Sequence, residues 1–186
     1  GTYIELVSLP APDAEVREAR DRVRAALNHA RFEFPARRIT VNLAPAELPK
    51  DSSRFDLPIA LGILAASGQL APEALGGQEF AGELSLTGEL RAVRGALAMA
   101  LSARGVGRAF VLPADNAPQA ALAEGARILP ARTLLEVVAH LAREAPLAEY
   151  VNGSPRRAPS YADFSDVKGQ QQVKRAAAAV LRLGGR

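Results

Sequence analysis

The chain has 186 residues, a formal net charge of +3 and no cysteine. That length suffices for one domain with its own core plus an appendage. The absence of cysteine excludes a disulfide framework, a thiolate zinc site and a thiol nucleophile. No window of about 18 uncharged apolar residues occurs, and no basic-then-apolar leader opens the chain. We therefore expect neither a membrane span nor a signal peptide, and a cytoplasmic location. The charge is uneven: residues 151–186 carry seven Lys/Arg and two acids, whereas residues 1–150 carry sixteen and eighteen. A basic tail thus accounts for the high isoelectric point, and the larger part lacks a nucleic-acid footprint of its own.

Residues 3–9 are apolar and β-branched up to Pro10, which predicts a strand. Asp13 is then placed to cap a helix. Val16, Ala19, Val23, Ala26, Leu27 and Ala30 follow at helical spacing, with Asp13 to Arg17 and Glu18 to Arg22 as i,i+4 pairs on the wet face. Residues 38–43 predict a second strand, and 44–54 a loop rich in Pro and Ser. Residues 55–67 are too apolar for a surface helix and predict one packed on a sheet, with Ser53 as N-cap and Gly68 at its end. Strands over 79–84 and 89–92 form a hairpin about Thr87 and Gly88, where Gly supplies a positive φ. A helix over 95–103 ends at Gly105. A strand over 108–112, a short helix over 117–123, a strand over 127–129 and a helix over 132–143 complete the pattern. The alternation across 38–143 argues for an α/β fold. Residues 145–159 read as a linker and 166–183 as a further helix.

Few residues carry obvious chemistry. No G-x-x-x-x-G-K-[ST] phosphate loop occurs. His29 and His140 each fall near a helix C-terminus, where the dipole favours them. Ser52 and Ser53 beside Lys50 invite a Ser–Lys nucleophile, but a Lys on a polar loop keeps its proton. Glu83 and Glu89 read as hairpin surface. Arg17, Arg20 and Arg24 share a helix face, with Arg31, Arg37 and Arg38 nearby. They offer a phosphate-contacting strip or, since Asp13, Glu15, Glu18 and Asp21 interleave, a salt-bridged solvent face.

Three segments carry a family resemblance: residues 9–27, LPAPDAEVREARDRVRAAL; residues 32–70, including RRITVNLAPAELPKDSSRFDLPIALGIL; and residues 80–97, including FAGELSLTGELRAVRG. They resemble the N-terminal domain of ComM/YifB-type proteins, which are magnesium-chelatase-like AAA+ ATPases. Residues 161–176, YADFSDVKGQQQVKRA, resemble the lead-in to the ATPase core of that family. The resemblance implies a Lon-protease-like domain, an α+β sandwich of the ribosomal-protein and GHMP-kinase superfold, over residues 1–144. A linker over 145–162 and the start of the AAA+ core over 163–186 would follow.

Aligning Pro49, Lys50 and Asp51 with the Lon pattern puts Arg54 at the nucleophile position and Leu97 at the general-base position. Both halves of the dyad are replaced, so the resemblance implies a pseudo-protease scaffold without catalytic residues, metal or cofactor of its own. ATP and Mg are expected to belong to the longer protein. That protein is expected to be a hexameric motor acting on DNA by branch migration in natural transformation, with its own AAA+ core as this domain's partner. Arg17, Arg24, Arg37, Arg38, Arg54 and Asp56 are candidate DNA or inter-subunit contacts. The alternatives are a Lon-like serine peptidase with a displaced dyad and an accessory domain of a metal chelatase.

Overall fold

The computed structural model describes residues 14–36, 39, 41 and 53–151. The strand expected over 3–9, most of that over 38–43, the Asp13 cap and everything after residue 151 lie outside the described residues. Helix α1 spans Ala14–His29, α2 Asp56–Ala66, α3 Ala96–Gly105, α4 Ala117–Ala120 and α5 Leu134–Leu141. Strands β1 Gln78–Phe80, β4 Ala109–Pro113 and β5 Ile128–Ala131 form a parallel sheet in the order β1-β4-β5. Strands β2 Glu83–Leu84 and β3 Leu90–Arg91 form an antiparallel hairpin.

The middle strand explains the layering. All five residues of β4, AFVLP, are buried, as a strand covered on both faces requires. Successive side chains point to opposite faces. Ala109 and Val111 join a core with Leu129, Ala131 and residues of α1, α2 and α5. Phe110 and Leu112 join a second core with Ile128, α3 and α4. Helices therefore cover both faces of a mixed α/β unit. Helix α2 shows why its sequence looked too apolar for a surface: Leu57, Ala60, Leu61, Ile63 and Leu64 are all buried. Each large side chain among them contributes about 2 kcal/mol through burial.

Two expectations change. The strand expected over 79–84 is broken at Gly82, because that residue's backbone serves α2 instead of a ladder. Gly82 N–H donates to Arg54 O at 2.9 Å, and Leu57 N–H donates to Gly82 O at 3.0 Å. A Cβ there would stand 2.9 Å from Leu90 Cδ2 and 3.5 Å from Leu57 Cβ. The residues before the break join the parallel sheet, and those after it form the hairpin. Ser53 does not cap α2. It begins a 3-10 turn, Ser53–Phe55, and Phe55 holds the N-cap position without a side-chain bond.

The hairpin is closed as its sequence implies. Ser85 N–H bonds Glu89 O at 2.9 Å, Gly88 N–H bonds Ser85 O at 3.0 Å, and Gly88 has φ 83°. Ser85 Oγ also accepts from Glu89 N–H at 3.0 Å. The hairpin docks on the start of α5 through Leu134 N–H to Gly88 O and Leu90 N–H to Arg132 O, each 2.8 Å.

Four helices end alike. In α1, α2, α3 and α5 the second residue past the helix donates back to the helix's penultimate residue. The third past it donates back to the antepenultimate one, the paired closure of a Schellman motif. The left-handed position is held by Arg31 (φ 62°), Gly68 (φ 74°), Gly107 (φ 69°) and Arg143 (φ 61°). Helix α3 thus runs to Gly105 and is closed by Gly107, two residues later than expected. Among the described residues no helix is long and apolar enough to cross a membrane.

Candidate functional site

The start of α2 gathers the charged residues of greatest interest. Asp56 is 0% exposed, and its carboxylate is held by Arg22 of α1, whose side chain is 24% exposed. Arg22 Nε donates to Oδ2 at 2.7 Å and Nη2 to Oδ1 at 3.1 Å. The Leu84 amide donates to Oδ2 at 3.1 Å. One carboxylate therefore ties α1, α2 and the hairpin. Burial pushes the Asp56 carboxyl above its ordinary range, opposed by the Arg22 hydrogen bonds and the Leu84 amide. The hydrogen bond to Asp56 raises Arg22. Around the pair, Glu18 reaches Arg22 at 3.9 Å and Glu83 reaches Arg91 at 4.0 Å.

Arg22, expected on the wet face, is the residue that sequence reasoning missed. The signal was present: Arg22 precedes buried Ala26 by one turn and adjoins buried Val23. It therefore sits at the rim of the buried face, where only its head group needs a polar partner.

The other candidate residues are dispersed. Arg54 is half-buried, and its guanidinium lies over the ring of its own neighbour Phe55, 5.0 Å from the centroid. Its carbonyl holds Gly82. Arg24 is exposed and stacks over Phe34 at 5.1 Å. Arg20 pairs with Asp21 at 3.2 Å. Arg17 lies in α1, but its side chain, like Arg37 and Arg38, is outside the described residues. Leu97, at the position assigned to a general base, lies in α3 and packs against the second core.

His140 lies in the last turn of α5 as expected, and it has specific partners. Its Nδ1 accepts from Leu147 N–H at 3.0 Å, and its Nε2 meets Gln78 Oε1 at 3.0 Å. Burial lowers its pKa from the ordinary 6.5. Buried Asn116 bonds the Val93 backbone twice, accepting its N–H at 2.8 Å and donating to its carbonyl at 2.9 Å.

A groove of about 560 Å³ lies beyond the carboxyl ends of β4 and β5, where Arg91, Asp115, Arg132 and Glu136 line it. Its charges are mixed, and the Glu136 carboxylate already accepts from Arg132 N–H at 2.7 Å. Among the described residues, no group of three or more His, Asp or Glu could hold a metal ion.

The comparisons with known proteins agree with one another. Residues 2–116 match the family described as subunit ChlI of Mg-chelatase. The chain is 48% identical over 170 residues to competence protein ComM of Haemophilus influenzae, covering 89% of this chain and 33% of that protein. It is 44% identical over 173 residues to the YifB protein of Escherichia coli, covering 91% and 34%. An uncharacterized protein of Mycobacterium tuberculosis is 40% identical over 172 residues, covering 92% and 34%. The chain thus spans about a third of the length of these curated relatives, corresponding to their N-terminal third. A matched segment of 115 residues, together with 44–48% identity to ComM and YifB over about 90% of the chain, places the chain in the Mg-chelatase ChlI-like family, beside the ComM and YifB proteins.

Proposed function

We propose that this chain is the non-catalytic N-terminal domain of a cytoplasmic, DNA-processing AAA+ ATPase of the ComM type. In this reading the domain has the Lon-protease-like superfold without a peptidase dyad. It serves DNA engagement or ring assembly beside its own ATPase core, which supplies ATP and Mg chemistry in a hexamer. The observation that carries the reading is the 48% identity to a competence protein over 89% of this chain. The site geometry supports it. The position assigned to a nucleophile is Arg54, stacked on Phe55, and that assigned to its base is Leu97, packed against the second core. Neither side chain has the proton chemistry that nucleophilic catalysis requires.

Residues 1–150 carry more acids than bases, and phosphate neutralisation supplies most non-specific DNA affinity. Residues 1–145 alone should therefore bind DNA weakly, and six copies in a ring would act through effective concentration. The test compares the full-length motor with and without residues 1–145, by DNA binding and branch migration at physiological salt. Loss or weakening of either supports the proposal, and unchanged activity overturns it. Tight binding by monomeric residues 1–145 would overturn the avidity argument alone.

A further inference from the structure

The segment after α5 touches both faces of the sheet. Helix α5 is closed by Arg143 at φ 61°, and the chain then doubles back. Leu147 N–H donates to His140 Nδ1, and Leu147 packs against the first core. Because Nδ1 accepts, the ring proton sits on Nε2 and is donated to Gln78 Oε1. Three residues on, Tyr150 N–H donates to Ile128 O at 2.8 Å, and Tyr150 packs against the second core.

Gln78 and Ile128 are the first residues of β1 and β5, the two outer strands, which run parallel on either side of β4. The segment therefore passes from one core to the other at the amino-terminal ends of the strands. A solvated connection would need no such anchoring, since loops ordinarily satisfy their backbone with water. The exposed pair of Arg127 with Glu149, at 3.7 Å, adds little by comparison.

We propose that residues 143–151 form a strap, fastened by His140 at one end and Tyr150 at the other. This strap fixes the position of Val151 against the domain. His140 acts as a positioning residue, holding the strap to β1. In the longer protein the strap would give the ATPase core a fixed point of attachment. That use rests on the accessory-domain reading, whereas the strap's existence does not.

The absence of cysteine allows clean spin labelling. Gln119→Cys on α4 and Val151→Cys, both exposed, would carry nitroxides in the full chain. We expect a narrow distance distribution in the labelled parent, broadened in both His140→Ala and Tyr150→Ala. Amide exchange at Leu147 and Tyr150 should accelerate together in His140→Ala, by roughly tenfold or more, as for one cooperative unit. Val111 and Leu129 should keep their protection. A distribution already broad in the parent, or still narrow in either variant, overturns the strap. So does faster exchange at Leu147 with Tyr150 unchanged. Should His140→Ala lose protection at Val111 and Leu129, Tyr150→Ala carries the test by itself. None of these readings depends on DNA or ATP, so failure of the accessory role would leave them untouched.

Discussion

The Arg22 guanidinium grips both oxygens of the Asp56 carboxylate across 34 residues of sequence. Asp56 is fully enclosed while Arg22 keeps an edge in solvent. Removing Arg22 leaves a buried carboxylate with the Leu84 amide as its one remaining partner among the bonds described above. Arg22→Ala should cost about 3 kcal/mol, at the low end for a broken buried pair because the abandoned carboxyl can take up a proton. Arg22→Met with Asp56→Leu should cost much less than the two single changes summed. Urea denaturation of all four proteins checks this. Additive costs would mean that the two side chains do not act as a pair.

Asn116 does for the Val93 backbone what a neighbouring strand would do, supplying one acceptor and one donor inside the second core. Asn116→Ala strands a buried N–H and a buried carbonyl together, at about 1–3 kcal/mol each. Asn116→Asp keeps the acceptor and sets a carboxylate against the Val93 carbonyl, so it should not rescue. Thermal unfolding of both variants reads the difference. A loss below about 0.5 kcal/mol in Asn116→Ala would mean that water replaces the amide.

The four matching helix ends contain their own comparison. At Gly68 and Gly107 the left-handed residue has no Cβ, whereas Arg31 and Arg143 hold the same conformation with a full side chain. Left-handed backbone costs a non-glycine residue about 1 kcal/mol, partly offset by the greater unfolded-state freedom of glycine. Arg31→Gly and Arg143→Gly should each stabilise the fold by about 0.5 kcal/mol, measured as a rise in urea midpoint at constant slope. A fall at either site would show that the arginine side chain contributes more there than its backbone strain costs.

His140 gives stability a dependence on mild acid. Its folded pKa lies below the unfolded value near 6.5, so the unfolded chain takes up the proton first. The contribution of neutral His140 is fully present above about pH 6.5 and is lost as pH falls through the lower folded value. Protonation also removes the acceptor that holds Leu147. Stability should decline below pH 6.5 more steeply in the parent than in His140→Asn. Parallel curves would mean that His140 is not the titrating group.

Much of this fold was legible because local chemistry and tertiary structure agree. The strand read over 108–112 is found, one residue later, as Ala109–Pro113, and Gly88 and Gly68 sit where positive φ is needed. The misses share a cause: each depends on a partner remote in sequence. Gly82 breaks its strand because Arg54 and Leu57 claim its backbone. Arg22 leaves the solvent face because its guanidinium pairs with the buried Asp56 carboxylate. Ser53, a good capping residue by type, is displaced because the chain makes a 3-10 turn before α2 starts. Among the candidate residues, Asp56 was expected only as a DNA or inter-subunit contact. Its burial and its bond to Leu84 belong to the assembled core.

The pairing of Gln78 with Ala109 and of Phe80 with Val111 has a kinetic consequence. Strand β1 bypasses the hairpin that follows it and joins a strand some thirty residues on, so the hairpin and α3 are enclosed in one loop. The hairpin can close within microseconds, because its contacts are local. The central sheet must wait for that larger loop to be drawn in, an entropic cost incurred before any of its contacts form. Between those two events β1 is a short strand with its backbone unpaired, the state in which strangers can pair with it. Dilution during refolding should therefore raise the yield more for this chain than for a helical protein of equal length.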